Sequence, residues 1–589
     1  MTNTMACSTR FLWRLLAPIV ILSLAACAGQ NDLGEPPGDL ITITVLGTND
    51  VHGQLMPGTA RGGLTTLSGY VQNVRDARAK DGGAVLLIDA GDMWQGSLES
   101  NLGEGAAMID AYNALDYTAA TVGNHEFDFG PIGELAIPAS SRDDPRGVLK
   151  LRASEATFPL LNANIVIAET RQRPNWPNVQ PSILITRQGI DIGIIGVTTA
   201  STLVTTIAGN VFDLEILPLA DTIESEARSL RDQGADLIIV TAHAGTRCLS
   251  PFKDPRNLAR CDLNGEIVRV ANALPQGLVD YIVAGHVHEG VAHEFNGIAV
   301  TSSYSVTRAF GRVDFVMDTT TGEVIERTIY PPQFNCPEVY EATGNCTWFS
   351  DDGGPSRAAT YEGQAVQPLP EIVAIADAAV QSAAARKNES LGVTLTEIFT
   401  IENNPESPLA NLFLQALLEE SEADIVVHNV TGGIRSTLPA GALTYGDVYQ
   451  MFPFDNRITL HEFSGADMRA IFAAQATRGH RRAGFAGVMA DIACVDEQIE
   501  VTLRRANGRE ILDDDRLTVL ANDFLATAGD GILSPATPAE GLRYRDDGRL
   551  TRDALINWFK RTGGTLKPDD FLGESFQEWH MPATPGCGI

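Results

Sequence analysis

The chain has 589 residues, with 74 aspartates and glutamates against 43 lysines and arginines, and a formal charge of -31. That length exceeds what one hydrophobic core organises and predicts two or three domains. The acidic excess excludes a general nucleic-acid-binding or anionic-membrane surface, so any phosphate site must be locally basic.

At the N-terminus, Arg10 and Arg14 lie in and beside an apolar stretch from Phe11 to Ala26, which ends at Leu24-Ala25-Ala26-Cys27. The segment looks like a bacterial lipoprotein signal over residues 1–26, with Cys27 as the lipidated residue. It is too short for a confident transmembrane helix. Ala28 after Cys27 resembles lipoproteins sorted to an outer membrane. The expectation is therefore an exported protein anchored by lipid and facing the periplasm or exterior, with residues 27–40 as a Pro/Gly-rich tether.

Short β-branched runs follow: Ile41 to Leu46, Ala84 to Ile88, Asp236 to Val240 and Val279 to Val283. Bounded by turn residues, they read as strands buried on both faces. Polar clusters stand where apolar runs end: Asn49-Asp50-Val51-His52, Gly91-Asp92, Gly123-Asn124-His125-Glu126, His243 and Gly285-His286-Val287-His288. In layered α/β folds the carboxyl ends of strands converge to form sites, so these clusters are expected to meet. Carboxylate, amide oxygen and imidazole suit Zn, Mn, Fe or Co. Singly, His243 would pass for a hydrogen-bonded core residue and Gly91-Asp92 for a turn. Together they point to hydrolysis assisted by divalent ions.

Further along, Ile183 to Ile185 and Ile192 to Val197 read as a hairpin, Asp221 to Gln233 as a helix, and Phe295 to Val316 as alternating strands. From Asp318 to Gln367 the chain is rich in Gly, Pro, Asp and Thr and predicts irregular connecting structure. Pro370 to Lys387, with Ile372, Ile375, Ala379 and Ala383 at helical spacing, predicts a linker helix. The resulting division is 41–365, a linker over 366–390, and 391–589. Six cysteines remain in the mature chain. Nearest-neighbour pairing suggests Cys248–Cys261, Cys336–Cys346 and Cys494–Cys587, one of about 15 connectivities that six cysteines allow. No Cys-x-x-Cys spacing favours a zinc site.

The ordered set Asp-x-His, Gly-Asp, Gly-Asn-His-Glu, His and Gly-His-x-His resembles the calcineurin-like metallophosphoesterases, and Gly123-Asn124-His125-Glu126-Phe127-Asp128 resembles their 5'-nucleotidase branch. The resemblance implies an α/β fold: an N-terminal four-layer α/β/β/α metallophosphoesterase sandwich, a linker helix and a C-terminal α/β nucleotidase substrate-binding domain. It implies two divalent metal ions, with Asp50, His52 and His288 on one, Asn124, His243 and His286 on the other, and Asp92 bridging. His125 resembles the family's catalytic histidine that binds no metal, with Asp128 fixing its tautomer; taken by itself, Asp128 reads as a helix cap.

In the second half, Asn429-Val430-Thr431-Gly432-Gly433-Ile434-Arg435 resembles the family's Asn-x-Gly-Gly-x-Arg loop, whose Arg contacts phosphate. Phe454 and Phe524 resemble the two aromatics that sandwich a nucleobase, and Asp530 the carboxylate that bonds ribose. From composition alone, both phenylalanines read as core residues. One departure stands out: near Glu406 to Leu412 the family's upstream phosphate Arg is missing and Ala410 replaces Gly. Arg386 on the linker helix would compensate if it pointed inward.

The implied activity is release of phosphate from nucleotides by in-line attack of water activated between two cations, in a monomer without polymeric nucleic acid as partner. The alternatives are a 2',3'-cyclic nucleotide phosphodiesterase, a nucleotide-sugar pyrophosphatase or a thiosulfohydrolase of the same fold, and, outside enzymes, a nucleotide-binding lipoprotein with a decayed site.

Overall fold

The computed structural model describes residues 40–573, apart from 134, 139, 251, 349–351, 403, 405, 478–482, 528 and 539–540, together with the backbone of 579–580. Cys27 and Cys587 lie outside the described residues.

The β-branched runs pair in parallel. Leu40–Thr48 lies beside Ala84–Asp89, which lies beside Ala119–Thr121. These are the middle of a seven-stranded sheet that ends at Val324–Phe334 on one edge and Val179–Gln180 on the other. Leu237–His243 and Tyr281–Ala284 are parallel neighbours in a six-stranded sheet, where Ile190–Thr198 and Ser182–Arg187 form the expected hairpin edge.

The two sheets pack face to face through Ile43, Val45, Ile88, Ile194, Ile239 and Val283, all buried. The contact is close because Gly47 lacks a side chain: a Cβ there would stand 2.7 Å from Val283 Cγ1. Gly63–Asp81 and Ala106–Ala114 cover the outer face of the first sheet. Leu219–Asp232 and Glu266–Ala273 cover that of the second. Strands buried on both faces carry no alternation, which is why their sequences read as continuous apolar runs.

The segment from Asp318 to Gln367 is less irregular than its composition predicts. Val324–Phe334 is an eleven-residue strand paired with Ala309–Asp318. It lies at the sheet edge, where exposed polar residues and Pro331-Pro332 are tolerated.

Pro370–Lys387 forms the expected helix. Ile372, Ala376 and Ala379 join the core of the first half, whereas Ala383 joins that of the second, so one helix is anchored in both. The second half is built on a five-stranded sheet with Ile425–His428, Arg516–Asn522 and Arg457–Ser464 at its centre. Pro408–Glu419 and Thr551–Thr562 cover one side and Gly465–Ala476 the other. The halves touch directly: Gln95 Nε2 donates to the Pro453 carbonyl at 3.1 Å, and Asn101 Nδ2 to Tyr449 Oη at 2.8 Å. Lys387 is ion-paired with Glu99.

Disulfides join Cys248 to Cys261 and Cys336 to Cys346, and Cys494 is also disulfide-bonded. Among the described residues no helix is long and apolar enough to cross a membrane.

Two histidines sit neutral in the second core. Burial pushes His428 down to about 3 and His461 down to about 4. Below about pH 6.5 the unfolded chain takes up protons that the folded chain refuses, so stability falls as pH falls, by about 1.4 kcal/mol per pH unit for each histidine. Denaturant melts between pH 7.5 and 6, above the range where Asp523, raised by burial to about 6, begins to oppose it, are expected to show this loss, and His428→Gln to lessen the slope. A pH-independent melt of the second half would contradict the assignment.

Candidate metal centre and substrate cleft

The five polar clusters meet at the carboxyl ends of their strands. Asp50 and His52 follow Leu40–Thr48, Asp92 follows Ala84–Asp89, and Asn124 follows Ala119–Thr121. His243 ends its own strand, and His286 and His288 follow Tyr281–Ala284.

The backbone turns sharply there. Asp50, His52, Asp92, His286 and His288 have φ of 49°, 50°, 61°, 72° and 61°. The left-handed conformation costs roughly 1–2 kcal/mol for each such residue. Hydrogen bonds hold it in place: Asp50 N–H donates to Gly91 O and His52 N–H to Asp92 O, both at 2.9 Å. His286 N–H donates to Asp50 Oδ2 at 2.9 Å.

Side chains then converge in two groups that share Asp92. His52 Nδ1 donates to the Gln95 carbonyl at 2.9 Å, so in the neutral ring Nε2 presents a lone pair. That nitrogen lies 3.2 Å from His288 Nε2 and 4.0 Å from Asp92 Oδ2. His288 Nε2 is in turn 3.2 Å from Asp50 Oδ1. In the other group, His243 Nδ1 donates to Ala90 O at 2.7 Å, which aims Nε2 at Asn124 Oδ1 (2.8 Å), Asp92 Oδ2 (3.2 Å) and His286 Nδ1 (3.2 Å). The Asn124 amide donates to Thr205 O at 3.0 Å, which fixes its oxygen inward. His286 Nε2 meets Ser201 Oγ at 3.0 Å.

Oxygens and imidazole lone pairs thus face one another with too few protons to bridge them. Divalent cations fit such a donor set, and the hydrogen bonds on the far ring nitrogens are the outer support that orients metal-binding histidines. The electrostatics agree: burial opposes charge on His243, yet Asp92 and Asp50 outweigh it and lift its pKa to about 10. The pocket draws positive charge.

His125 stands beside this cluster. Its Nδ1 is 2.5 Å from Asp128 Oδ2, while Asp128 Oδ1 accepts from Thr206 Oγ1 at 2.7 Å. Its backbone N–H donates to Asp92 Oδ1 at 2.9 Å. Burial disfavours the imidazolium, but Asp128 and Asp92 together prevail and raise the pKa.

Sequence reasoning left Glu126 without a role. Buried at 1 % exposure, its carboxylate accepts the backbone N–H groups of Asp92, Met93 and Gly123 at 2.8, 2.8 and 2.7 Å. It ties two strand-end turns into one unit. The available signal was an acid inside a Gly-rich turn between buried strands. At Gly123 a Cβ would lie 2.3 Å from Asp92 Oδ1, so glycine lets that turn pass against the carboxylate.

Across a cavity of about 430 Å³, the second half presents its own groups: Asn429, Gly432, Gly433, Arg435, Phe454, Phe524 and Asp530 share its lining with Asp92, His125 and His286. Asn429 Nδ2 donates to Asp530 Oδ2 at 3.1 Å. The Arg435 guanidinium donates to Gly432 O at 3.1 Å and lies 5.7 Å from the Phe454 ring centre. The Phe454 ring is 6.0 Å from that of His125 at an interplanar angle of 28°. Phe454 is therefore half-buried at the domain junction, packed against the edge of the second half's core. Arg386 does not compensate for the missing arginine. It pairs with Glu389 at 2.6 Å and lies 3.9 Å over the Tyr445 ring, because the last turn of its helix carries it away from the cleft.

Four layers of helix and strand, with a carboxylate and imidazole cluster at the strand ends, define a metal-dependent phosphoesterase. Residues 43–290 match the calcineurin-like phosphoesterase family and residues 390–537 the 5'-nucleotidase C-terminal domain. The chain thus joins a calcineurin-like phosphoesterase domain to the C-terminal domain of the 5'-nucleotidases. It is 26 % identical to the endonuclease YhcR of Bacillus subtilis (strain 168) over 86 % of its length, but spans only 39 % of that protein. It is also 26 % identical to the protein UshA of Yersinia enterocolitica, covering 87 % of this chain and 91 % of that one. Among solved structures, the 5'-nucleotidase precursor from Thermus thermophilus superposes with a TM-score of 0.68 at 21 % identity, covering 92 % of this chain and 100 % of the other.

Proposed function

We propose that the protein is an exported 5'-nucleotidase that releases phosphate from nucleoside monophosphates. The observation that carries this reading is one cavity lined both by the ligand cluster and by Phe454, Phe524 and Arg435. Asp50, His52 and His288 would hold one divalent ion, Asn124, His243 and His286 a second, with Asp92 between them. Zn, Mn, Fe and Co all suit this donor set. When bound, two such ions supply an activated water and polarise the phosphoryl oxygens.

The remaining work falls to side chains. Arg435 grips the phosphate with its forked guanidinium. Phe454 and Phe524 hold the base between their rings, which any base accepts through its π-face. Asn429 and Asp530 meet the ribose hydroxyls. His125 Nε2 carries the proton that the departing 5'-oxygen needs, and Asp128 keeps Nδ1 protonated so that Nε2 faces substrate.

The functional units in this reading are residues 41–365 for metal chemistry, 366–390 as linker and 391–589 for substrate. Residues 1–26 direct export, Cys27 carries lipid, and the tether holds a monomer at a bacterial membrane, the outer one where two exist. The disulfides suit an oxidising compartment outside the cytoplasm.

The test is a substrate panel on the metal-reconstituted protein: AMP, a 2',3'-cyclic nucleotide, UDP-glucose and an aryl phosphate. AMP is expected to be cleaved with the highest kcat/KM, and Phe524→Ala to raise its KM about tenfold while leaving the aryl phosphate little changed. Turnover of the aryl phosphate alone would refute the base clamp.

A further inference from the structure

Behind the centre lies an acid that the proposed reaction does not use. Asp89 ends the strand Ala84–Asp89 and is fully buried, at 0 % exposure. Its hydrogen-bond partners are all donors. Oδ1 accepts Gly91 N–H at 2.8 Å, and Oδ2 accepts Thr48 Oγ1 at 2.6 Å and Tyr112 Oη at 3.0 Å. Tyr112 is stacked on Tyr117 with 3.9 Å between ring centres, and Tyr117 Oη lies 3.0 Å from Thr48 Oγ1. Burial first, then the charge of Asp50, outweigh the three donors and push the pKa of Asp89 up to about 7. An ionised carboxylate at this depth is costly unless positive charge stands nearby.

Asp89 is bonded to none of the proposed ligands, yet it holds the backbone that carries three of them. Thr48 stands two residues before Asp50, and its carbonyl accepts Ala90 N–H at 2.8 Å. Gly91, whose φ is 88°, precedes Asp92, and its carbonyl accepts Asp50 N–H at 2.9 Å. From the other sheet, Thr241 Oγ1 donates to Asp89 O at 2.7 Å, two residues before His243, whose Nδ1 donates to Ala90 O. The turn Asp89-Ala90-Gly91 is thus the common seat of Asp50, Asp92 and His243. The Asp89 carboxylate closes that turn from within.

We infer that Asp89 is a positioning residue for the cation site: its carboxylate fixes the turns that aim Asp50, Asp92 and His243, and its negative charge strengthens the hold on divalent ions. This rests on the metal-dependent reading above, and adds to it a residue outside the ligand set. An anchor needed only for the shape of the turn would serve as well without charge. A carboxylate kept at full burial on neutral donors alone suits a protein whose neighbouring site is filled by cations, because their field favours its ionised form.

The experiment titrates Mn²⁺ calorimetrically into wild type and Asp89→Asn, each stripped with a chelator and dialysed, and records the melting temperature of both stripped proteins. Asparagine is nearly isosteric: its oxygen still accepts Gly91 N–H, and the hydroxyls of Thr48 and Tyr112 can turn to accept from its amide. The stripped variant is therefore expected to melt at the wild-type temperature or above it, since a buried charge has gone, while its Kd for Mn²⁺ rises about 10–100-fold. An equal Kd overturns the assignment. So does a weaker Kd in a variant whose stripped form melts more than about 5 °C lower, because the loss then belongs to disrupted structure. Tyr112→Phe removes one donor and keeps the charge, and is expected to weaken Mn²⁺ about two- to tenfold. Where Asp89→Asn does not fold, this second variant decides, and an equal Kd in it overturns the proposal. If wild type binds no Mn²⁺, the metal-dependent reading falls and this inference with it, whereas equal binding by wild type and variants strikes the inference alone.

Discussion

His125→Asn is expected to lower kcat for AMP by about 10²–10⁴-fold, the usual contribution of a positioned proton donor, while the metal content stays at the wild-type level. The geometry supports separating the two effects. His125 reaches the centre through its backbone N–H, which donates to Asp92 Oδ1 at 2.9 Å, and this bond survives any side-chain change. Its ring is held by Asp128 at 2.5 Å, and Asp128 by Thr206 at 2.7 Å, a chain that leaves Nε2 as the free end. Asparagine keeps a polar group near Asp128 but has nothing to place where Nε2 stood. Elemental analysis beside steady-state kinetics checks both halves. Undiminished turnover in the metal-loaded variant would remove His125 from the reaction.

Asp92→Asn is expected to have the opposite signature, losing metal and activity together. Asp92 Oδ2 is the oxygen shared by the two groups, 3.2 Å from His243 Nε2 and 4.0 Å from His52 Nε2. The substitution is nearly isosteric and keeps an oxygen to accept from His125 N–H, so folding is little disturbed. It removes the negative charge that, in the proposed centre, two cations would share. Changes to groups merely supporting a ligand cost about 10–100-fold in metal affinity, so loss of a bridging charge is expected to exceed that range. Plasma mass spectrometry after dialysis is expected to find fewer than two ions per chain, with kcat/KM down by more than about 100-fold. A fully loaded, active variant would show that Asp92 does not bridge.

Much of the centre was legible because its residues announce themselves locally. Strands buried on both faces write continuous apolar runs, and a polar cluster at the end of such a run has few places to go but a site. The linker helix declared itself by the spacing of Ile372, Ala379 and Ala383. What stayed hidden depended on tertiary contacts. Val324–Phe334 escaped because an edge strand tolerates Pro331-Pro332 and exposed charges, the same signals that mark a loop. Glu126 bonds only to backbone groups, some of them more than 30 residues away, so no residue type nearby betrays its partners. Arg386 was misjudged for a similar reason. It ends a helix beside the second half, and only the packing of the two halves turns it to Glu389 and Tyr445.

The left-handed backbone at five of the proposed ligand positions bears on how this protein can be improved. A stability screen run without cations rewards whatever relaxes Asp50, His52, Asp92, His286 and His288, and at positive φ glycine does that best. Selection for heat resistance alone would therefore erode the reaction centre first, one relaxed turn at a time. An engineer seeking a hardier enzyme has to hold these five codons fixed, or keep ions in every round so that occupancy rewards the strained turns.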